Sequence, residues 1–115
     1  MLKIYHNPRC SKSREGLAIL EKSGKEFEII KYLENPPSFI ELSAIVGKLG
    51  TPAKELIRTN EKVWKENYKG KTMSDKDIIQ AMVDHPKLIE RPIVIHDNEA
   101  VLGRPPQAIE KLLKD

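Results

Sequence analysis

The chain has 115 residues, 39% hydrophobic and 32% charged, with a formal net charge of +3, which suits one soluble α/β-sized domain spanning residues 1–115. No apolar run approaches the roughly 20 residues of a membrane span, and the N-terminus lacks a signal-peptide pattern. One cysteine excludes an internal disulfide framework and suits a reducing compartment, so a cytoplasmic protein with no membrane partner is expected.

In chain order, a short β-branched and aromatic run at residues 2–5 reads as a strand. Asn7-Pro8 follows as a turn, because proline biases its predecessor away from helical geometry. A helix is expected over residues 11–23, with Ser11 or Ser13 at its N-terminus, Leu17, Ile19 and Leu20 on its apolar side, and Gly24 as its stop. Residues 26–32 alternate in part between polar and apolar and predict a second strand, parallel to the first across the helical crossover. Asn35-Pro36-Pro37 ends that pattern. Ser38 then stands three residues before Glu41, the spacing of a capping box.

From residue 38 to about 89 the pattern is helical, without a strand signal. One amphipathic stretch carries Ile40, Leu42, Ile45, Val46 and Leu49 and closes at Gly50. A short helical turn at 52–57 and a helix at 61–68 follow, broken by Gly70. Another helix opens at Ser74 and stops at His85-Pro86. Trp64 and Met82 are expected to pack this insert, and His85 and His96 are assigned no function. Arg91-Pro92-Ile93-Val94-Ile95-His96 predicts a third strand, Asp97-Asn98-Glu99 a turn, and residues 100–102 the return strand of a hairpin. Gly103-Arg104-Pro105-Pro106 leads into a last helix with Ile109, Leu112 and Leu113 on one face.

The single cysteine falls where the first strand hands over to the first helix. Unpaired N–H groups and the positive end of the helix dipole favour a thiolate there, and Arg9, Lys12 and Arg14 add positive charge nearby. Cys10 is therefore read as reactive. No Cys, His and carboxylate spacing suits a metal site, and none is expected. Lysines are scattered, with no basic stripe interleaved with aromatics, so a nucleic-acid partner is not expected either.

Strand-helix-strand, helical insert, strand-strand-helix, with a cysteine after the first strand and a proline opening the third, resembles the thioredoxin fold, with a helical insertion between the second and third strands. In that fold a proline placed like Pro92 is typically cis and borders the thiol. Residues 7–14 (Asn-Pro-Arg-Cys-Ser-Lys-Ser-Arg), Tyr32-Leu33-Glu34-Asn35-Pro36-Pro37 and Arg91-Pro92-Ile93-Val94 together resemble the glutaredoxin-coupled arsenate reductase family. The resemblance implies Cys10 as nucleophile, and Arg58, Arg91 and Arg104 as catalytic and oxyanion-binding arginines. It implies Ser13 and Arg14 as further substrate-binding residues, and His6 and Pro92 as groups that influence the thiol. Arg9 and Ser11-Lys12 depart from the family's usual turn, which carries a small residue before the cysteine and Gly-Thr after it.

Arsenate is a tetrahedral oxyanion, a shape that guanidinium forks bind through paired, charge-assisted hydrogen bonds. The resemblance implies an arsenic–cysteine adduct at Cys10. Since the chain has no second cysteine, the reducing thiols must come from outside, with glutathione as co-substrate, a glutaredoxin as partner and no bound cofactor. A monomer is expected. Two other readings belong to the same superfamily: a non-catalytic Spx-like regulator that binds RNA polymerase, and a monothiol glutathione-linked oxidoreductase.

Overall fold

The computed structural model describes residues 2–114, which fall into two compact units. The first comprises residues 2–35 and 91–114, the second residues 36–90.

The first unit is built on strands β1 (Leu2–Tyr5), β2 (Glu28–Ile30), β3 (Ile93–His96) and β4 (Glu99–Leu102), in the spatial order β2-β1-β3-β4. β1 runs parallel to β2 and antiparallel to β3, and β3 and β4 form an antiparallel hairpin. Helix α1 (Ser11–Ser23) links β1 to β2, as a parallel pair requires a crossover. The alternation of a strand puts Leu2 and Ile4 on one face, and Ile4 pairs with Val94, so these three begin a single core. Leu20 of α1 completes it together with Ile109 and Leu112 from the last helix (Gln107–Lys114).

The local chemistry largely matches the sequence. Gly24 ends α1 in the left-handed conformation, at φ 73°, where a Cβ would be strained. The β3–β4 turn holds Asp97 at φ 55°, and Glu99 pairs with His96 as the first residue of β4, so the turn is one residue shorter than the sequence predicts. The second strand is shorter too. Hydrogen bonds from the Glu34 and Asn35 amides to the Lys31 carbonyl turn the chain after Ile30, which removes Tyr32 from the strand and leaves it 1% exposed.

The second unit lies wholly between β2 and β3 in sequence. It contains α2 (Phe39–Leu49), α3 (Lys62–Asn67) and α4 (Asp75–Asp84), with 3-10 turns at Ala53–Glu55 and Pro86–Leu88. The last helix of the chain, Gln107–Lys114, is accordingly α5. Ser38 and Ser74 cap α2 and α4 through reciprocal capping boxes with Glu41 and Asp77, satisfying amide groups that a helix start otherwise leaves open. Leu42, Ile45, Leu56, Met82 and Leu88 are buried, while Trp64 stacks on Tyr68 at 5.4 Å. One pairing is invisible in the sequence. Ile57 and Ile89 form an isolated antiparallel bridge, flanked by bonds from Arg58 N to Leu88 O and from Glu90 N to Leu56 O.

Candidate active site around Cys10

After β1 the chain continues beside β2, with the His6 amide donating to Ile30 O at 2.8 Å. It then folds through a tight turn fixed at several points. The Cys10 amide donates to Asn7 O, and the Arg9 amide to Asn7 Oδ1, both at 3.0 Å. From α1, Arg14 Nη1 donates back to Pro8 O at 2.9 Å. Asn7 thus stabilises the turn with side chain and main chain together, the usual reason for asparagine at such a position.

The helix start is Cys10 itself. Its backbone is extended (φ −97°, ψ 122°), and its carbonyl accepts the Arg14 amide at 3.0 Å. Cys10 is therefore the N-cap, which corrects the expectation that Ser11 or Ser13 would fill that place. Ser13 is unavailable for capping because its hydroxyl is used elsewhere. Its Oγ accepts from the Asn7 amide at 2.9 Å and lies 2.6 Å from His6 Nδ1. Ser13 is 0% and His6 4% exposed, so this small network is an internal fastening between the end of β1 and the first turn of α1.

The electrostatics of the thiol follow from this placement. Cys10 is 8% exposed. Burial pushes its thiol up, but the Ser13 amide, the Arg91 side chain and the Lys12 amide oppose this and together hold it below the ordinary range. Each of these groups donates to, or is attracted by, the charged form. Arg104 adds Nη2 at 3.6 Å from Cys10 Sγ, and its Nε donates to Arg91 O at 2.8 Å. His6 moves in the opposite sense from a charge donor. Its burial, with Lys31 nearby, lowers its pKa, so it is neutral at neutral pH.

The Arg91-Pro92 and Arg104-Pro105 peptides are cis, the first as the thioredoxin resemblance implies. Gly16 of α1 and Gly103 after β4 both face the Pro92 ring. A Cβ on Gly16 would stand 2.9 Å from Pro92 Cγ and Ile109 Cδ1, and one on Gly103 2.8 Å from the same two atoms. Gly103 also donates its amide to Pro92 O at 2.8 Å. Small residues are required at both places so that the segment carrying Arg91 can lie against α1.

Comparison with known proteins agrees with this architecture. The model of the ArsC family matches residues 5–112. The chain belongs to the ArsC family. It is 46% identical to the Escherichia coli protein YfgD over 97% of this chain and 96% of that one. It is 44% identical to an arsenate reductase of Neisseria meningitidis, over 97% of each. Among solved structures, the arsenate reductase from Vibrio cholerae superposes with a TM-score of 0.91 at 46% identity, covering 96% of this chain and 95% of that one. The thioredoxin-like α/β fold with its helical insertion is therefore that of the ArsC family.

Within this ArsC-family chain, the first unit brings Cys10, Arg91, Arg104 and Pro92 together, and Ser13 joins them to His6 through its amide toward Cys10 and its hydroxyl toward the imidazole. Arg14 is exposed and committed to the Pro8 carbonyl. Arg58 belongs to the second unit, where Nη1 lies 3.1 Å from Glu61 and Nε 3.6 Å from Glu90. The turn at Asn7-Pro8 is as the sequence predicts, whereas the roles of Gly16 and Gly103 were missed. An isolated glycine inside a helical pattern was the available signal for Gly16, since it costs helix stability without a local gain. Among the described residues no helix is long and apolar enough to cross a membrane, and no group of three or more His, Cys, Asp or Glu could hold a metal ion.

Proposed function

We propose that the chain is a thiol-dependent arsenate reductase in which Cys10 is the nucleophile. The observation that carries this reading is the Cys10 sulfur at a helix N-terminus, its pKa lowered, with Arg104 Nη2 at 3.6 Å and Arg91 beside it. The names of its arsenate reductase relatives support the choice of oxyanion.

The Cys10 thiolate attacks arsenic, forming a sulfur–arsenic bond as one arsenic-bound oxygen leaves as water with protons from the medium. The guanidinium groups of Arg91 and Arg104 neutralise the negative oxygens and the charge that builds during displacement. A glutathione thiol then attacks Cys10 Sγ. The sulfur–arsenic electron pair stays on arsenic, which leaves as arsenite, and Cys10 is left in a mixed disulfide with glutathione. A glutaredoxin with further glutathione reduces that disulfide and restores the thiol. Arg58 enters as a third oxyanion-binding arginine on the family resemblance alone. Ser13 and Arg14 are assigned to holding the turn, through the Ser13 hydroxyl and the bond from Arg14 to Pro8.

The test is steady-state NADPH oxidation with arsenate, glutathione, glutaredoxin and glutathione reductase. Arsenate-dependent turnover in the wild type that disappears in Cys10→Ser is expected. Turnover that persists in Cys10→Ser would overturn the proposal.

A further inference from the structure

The mechanism leaves one cation of the active-site turn unused. Arg9 directly precedes Cys10, and its side chain is exposed. Its main chain is fixed by the bond to Asn7 Oδ1, and the turn around it by the Cys10–Asn7 and Arg14–Pro8 bonds. The neighbouring cations are committed: Lys12 lies 3.6 Å from Glu15, Arg14 donates to Pro8, and Arg104 donates to Arg91 O and Cys10 Sγ. Among the described residues no carboxylate pairs with Arg9. Nor is Arg9 one of the main groups that set the thiol, which are Ser13, Arg91 and Lys12.

We propose that Arg9 is a specificity residue that attracts a negatively charged thiol or disulfide to Cys10. The proposal rests on Cys10 being the reacting thiol. Arg91 and Arg104 act on Cys10 Sγ itself, whereas Arg9 holds its charge on the fixed turn beside the sulfur, open to whatever approaches from solvent. An exchange partner must bring its own sulfur in line with Cys10 Sγ, and because Arg9 is joined directly to Cys10, carboxylates flanking that sulfur come within a Debye length of its charge. The charge then favours carboxylate-bearing thiols over neutral ones and disfavours cationic ones, with an effect that fades as salt rises.

The test reads exchange at Cys10 without arsenate. In each reaction the Cys10 thiolate attacks one sulfur of a probe disulfide, forms the mixed disulfide and releases the other half as its thiolate. Rates are measured with three probes: the anionic dithiobis-nitrobenzoate, the neutral dithiodipyridine and the cationic cystamine. Arg9→Gln is expected to slow the anionic probe about three- to tenfold at low salt. It should leave the neutral probe within about twofold and speed the cationic one, and Arg9→Lys should restore the wild-type order. Equal changes with all three probes, or none, would overturn the assignment of Arg9. A charge-ordered result in a protein that fails to reduce arsenate would uphold Arg9 while removing arsenate as the substrate. A Cys10 inert to every probe would overturn Arg9 and the reactive thiol together.

Discussion

Arg104 donates from Nε to the main-chain oxygen of Arg91 at 2.8 Å. Because Arg104 Nη2 also lies 3.6 Å from Cys10 Sγ, one guanidinium ties the segment before Pro92 to the sulfur. Arg104→Lys keeps the charge but cannot make both contacts from a planar fork. A fall in kcat of about ten- to a thousandfold is expected in the coupled assay, the range for loss of one preorganised donor at a developing anion. Activity equal to wild type in Arg104→Lys would show that charge alone suffices.

Arg91 acts on the thiol directly, so its removal should show in a pH profile. In the wild type the Cys10 pKa is lowered, and iodoacetamide alkylation should therefore reach half its plateau rate below the pH of an ordinary cysteine. Arg91→Gln removes a group that favours the thiolate, so the midpoint should move to higher pH. An unmoved midpoint would place the acidity in the helix-start amides alone.

Ser13 joins His6 and Asn7 from a fully buried position. Ser13→Ala leaves the Asn7 amide and His6 Nδ1 without that partner, and about 1–3 kcal/mol of stability should be lost for an unsatisfied buried group. Denaturant unfolding measures this. The alkylation midpoint should also rise, because the Ser13 amide loses the fastening that holds it under the sulfur. Since His6 is already neutral, the pH midpoint of His6→Asn should stay close to wild type if Asn keeps the bond to Ser13.

Gly16→Ala tests the packing behind Pro92. The new methyl would meet Pro92 Cγ and Ile109 Cδ1 at 2.9 Å. The Ile109 methyl can rotate away, whereas the proline ring has little freedom. A cost of about 1–3 kcal/mol for overpacking is expected, together with an upward shift of the alkylation midpoint as Arg91 is displaced. A stability loss with no change in the pH profile would confine Gly16 to a packing role.

The two capping boxes of the helical unit offer a stability check remote from the thiol in sequence. Ser38→Ala and Ser74→Ala each remove a side-chain acceptor from a helix start. Each should cost about 1 kcal/mol in denaturant unfolding and leave the alkylation profile of Cys10 unchanged.

Features that depend on neighbours in sequence were legible before the structure. Gly24 and Gly50 as helix stops, the Ser38 capping box and the strand ends around Pro92 are all set within a few residues. The lowered pKa of Cys10 was legible in part for the same reason, since a strand-to-helix turn can be read directly. The cation that acts on it is the distant Arg91 and not the flanking Arg9, Lys12 and Arg14 expected from the sequence. What the sequence withheld depends on contacts between distant segments. Ser13 looked like a helix cap until His6 and Asn7 claimed its hydroxyl. His6 entered as a group that influences the thiol on resemblance alone, and its burial and its bond to Ser13 come from contacts that no local pattern shows. The convergence of Arg91 and Arg104 on Cys10 came from resemblance, because no local spacing links residues so far apart in the chain. The Ile57–Ile89 bridge is too short to leave any strand pattern.

Arsenate reduction at Cys10 is measured most directly in a single turnover followed by intact-protein mass and arsenic speciation. Arsenate and glutathione are supplied without glutaredoxin, so that the protein stops after one cycle. One arsenite per protein and one glutathione held in disulfide linkage on Cys10 are expected, with neither in Cys10→Ser. No arsenite from a wild-type protein whose Cys10 alkylates rapidly at neutral pH would contradict that mechanism.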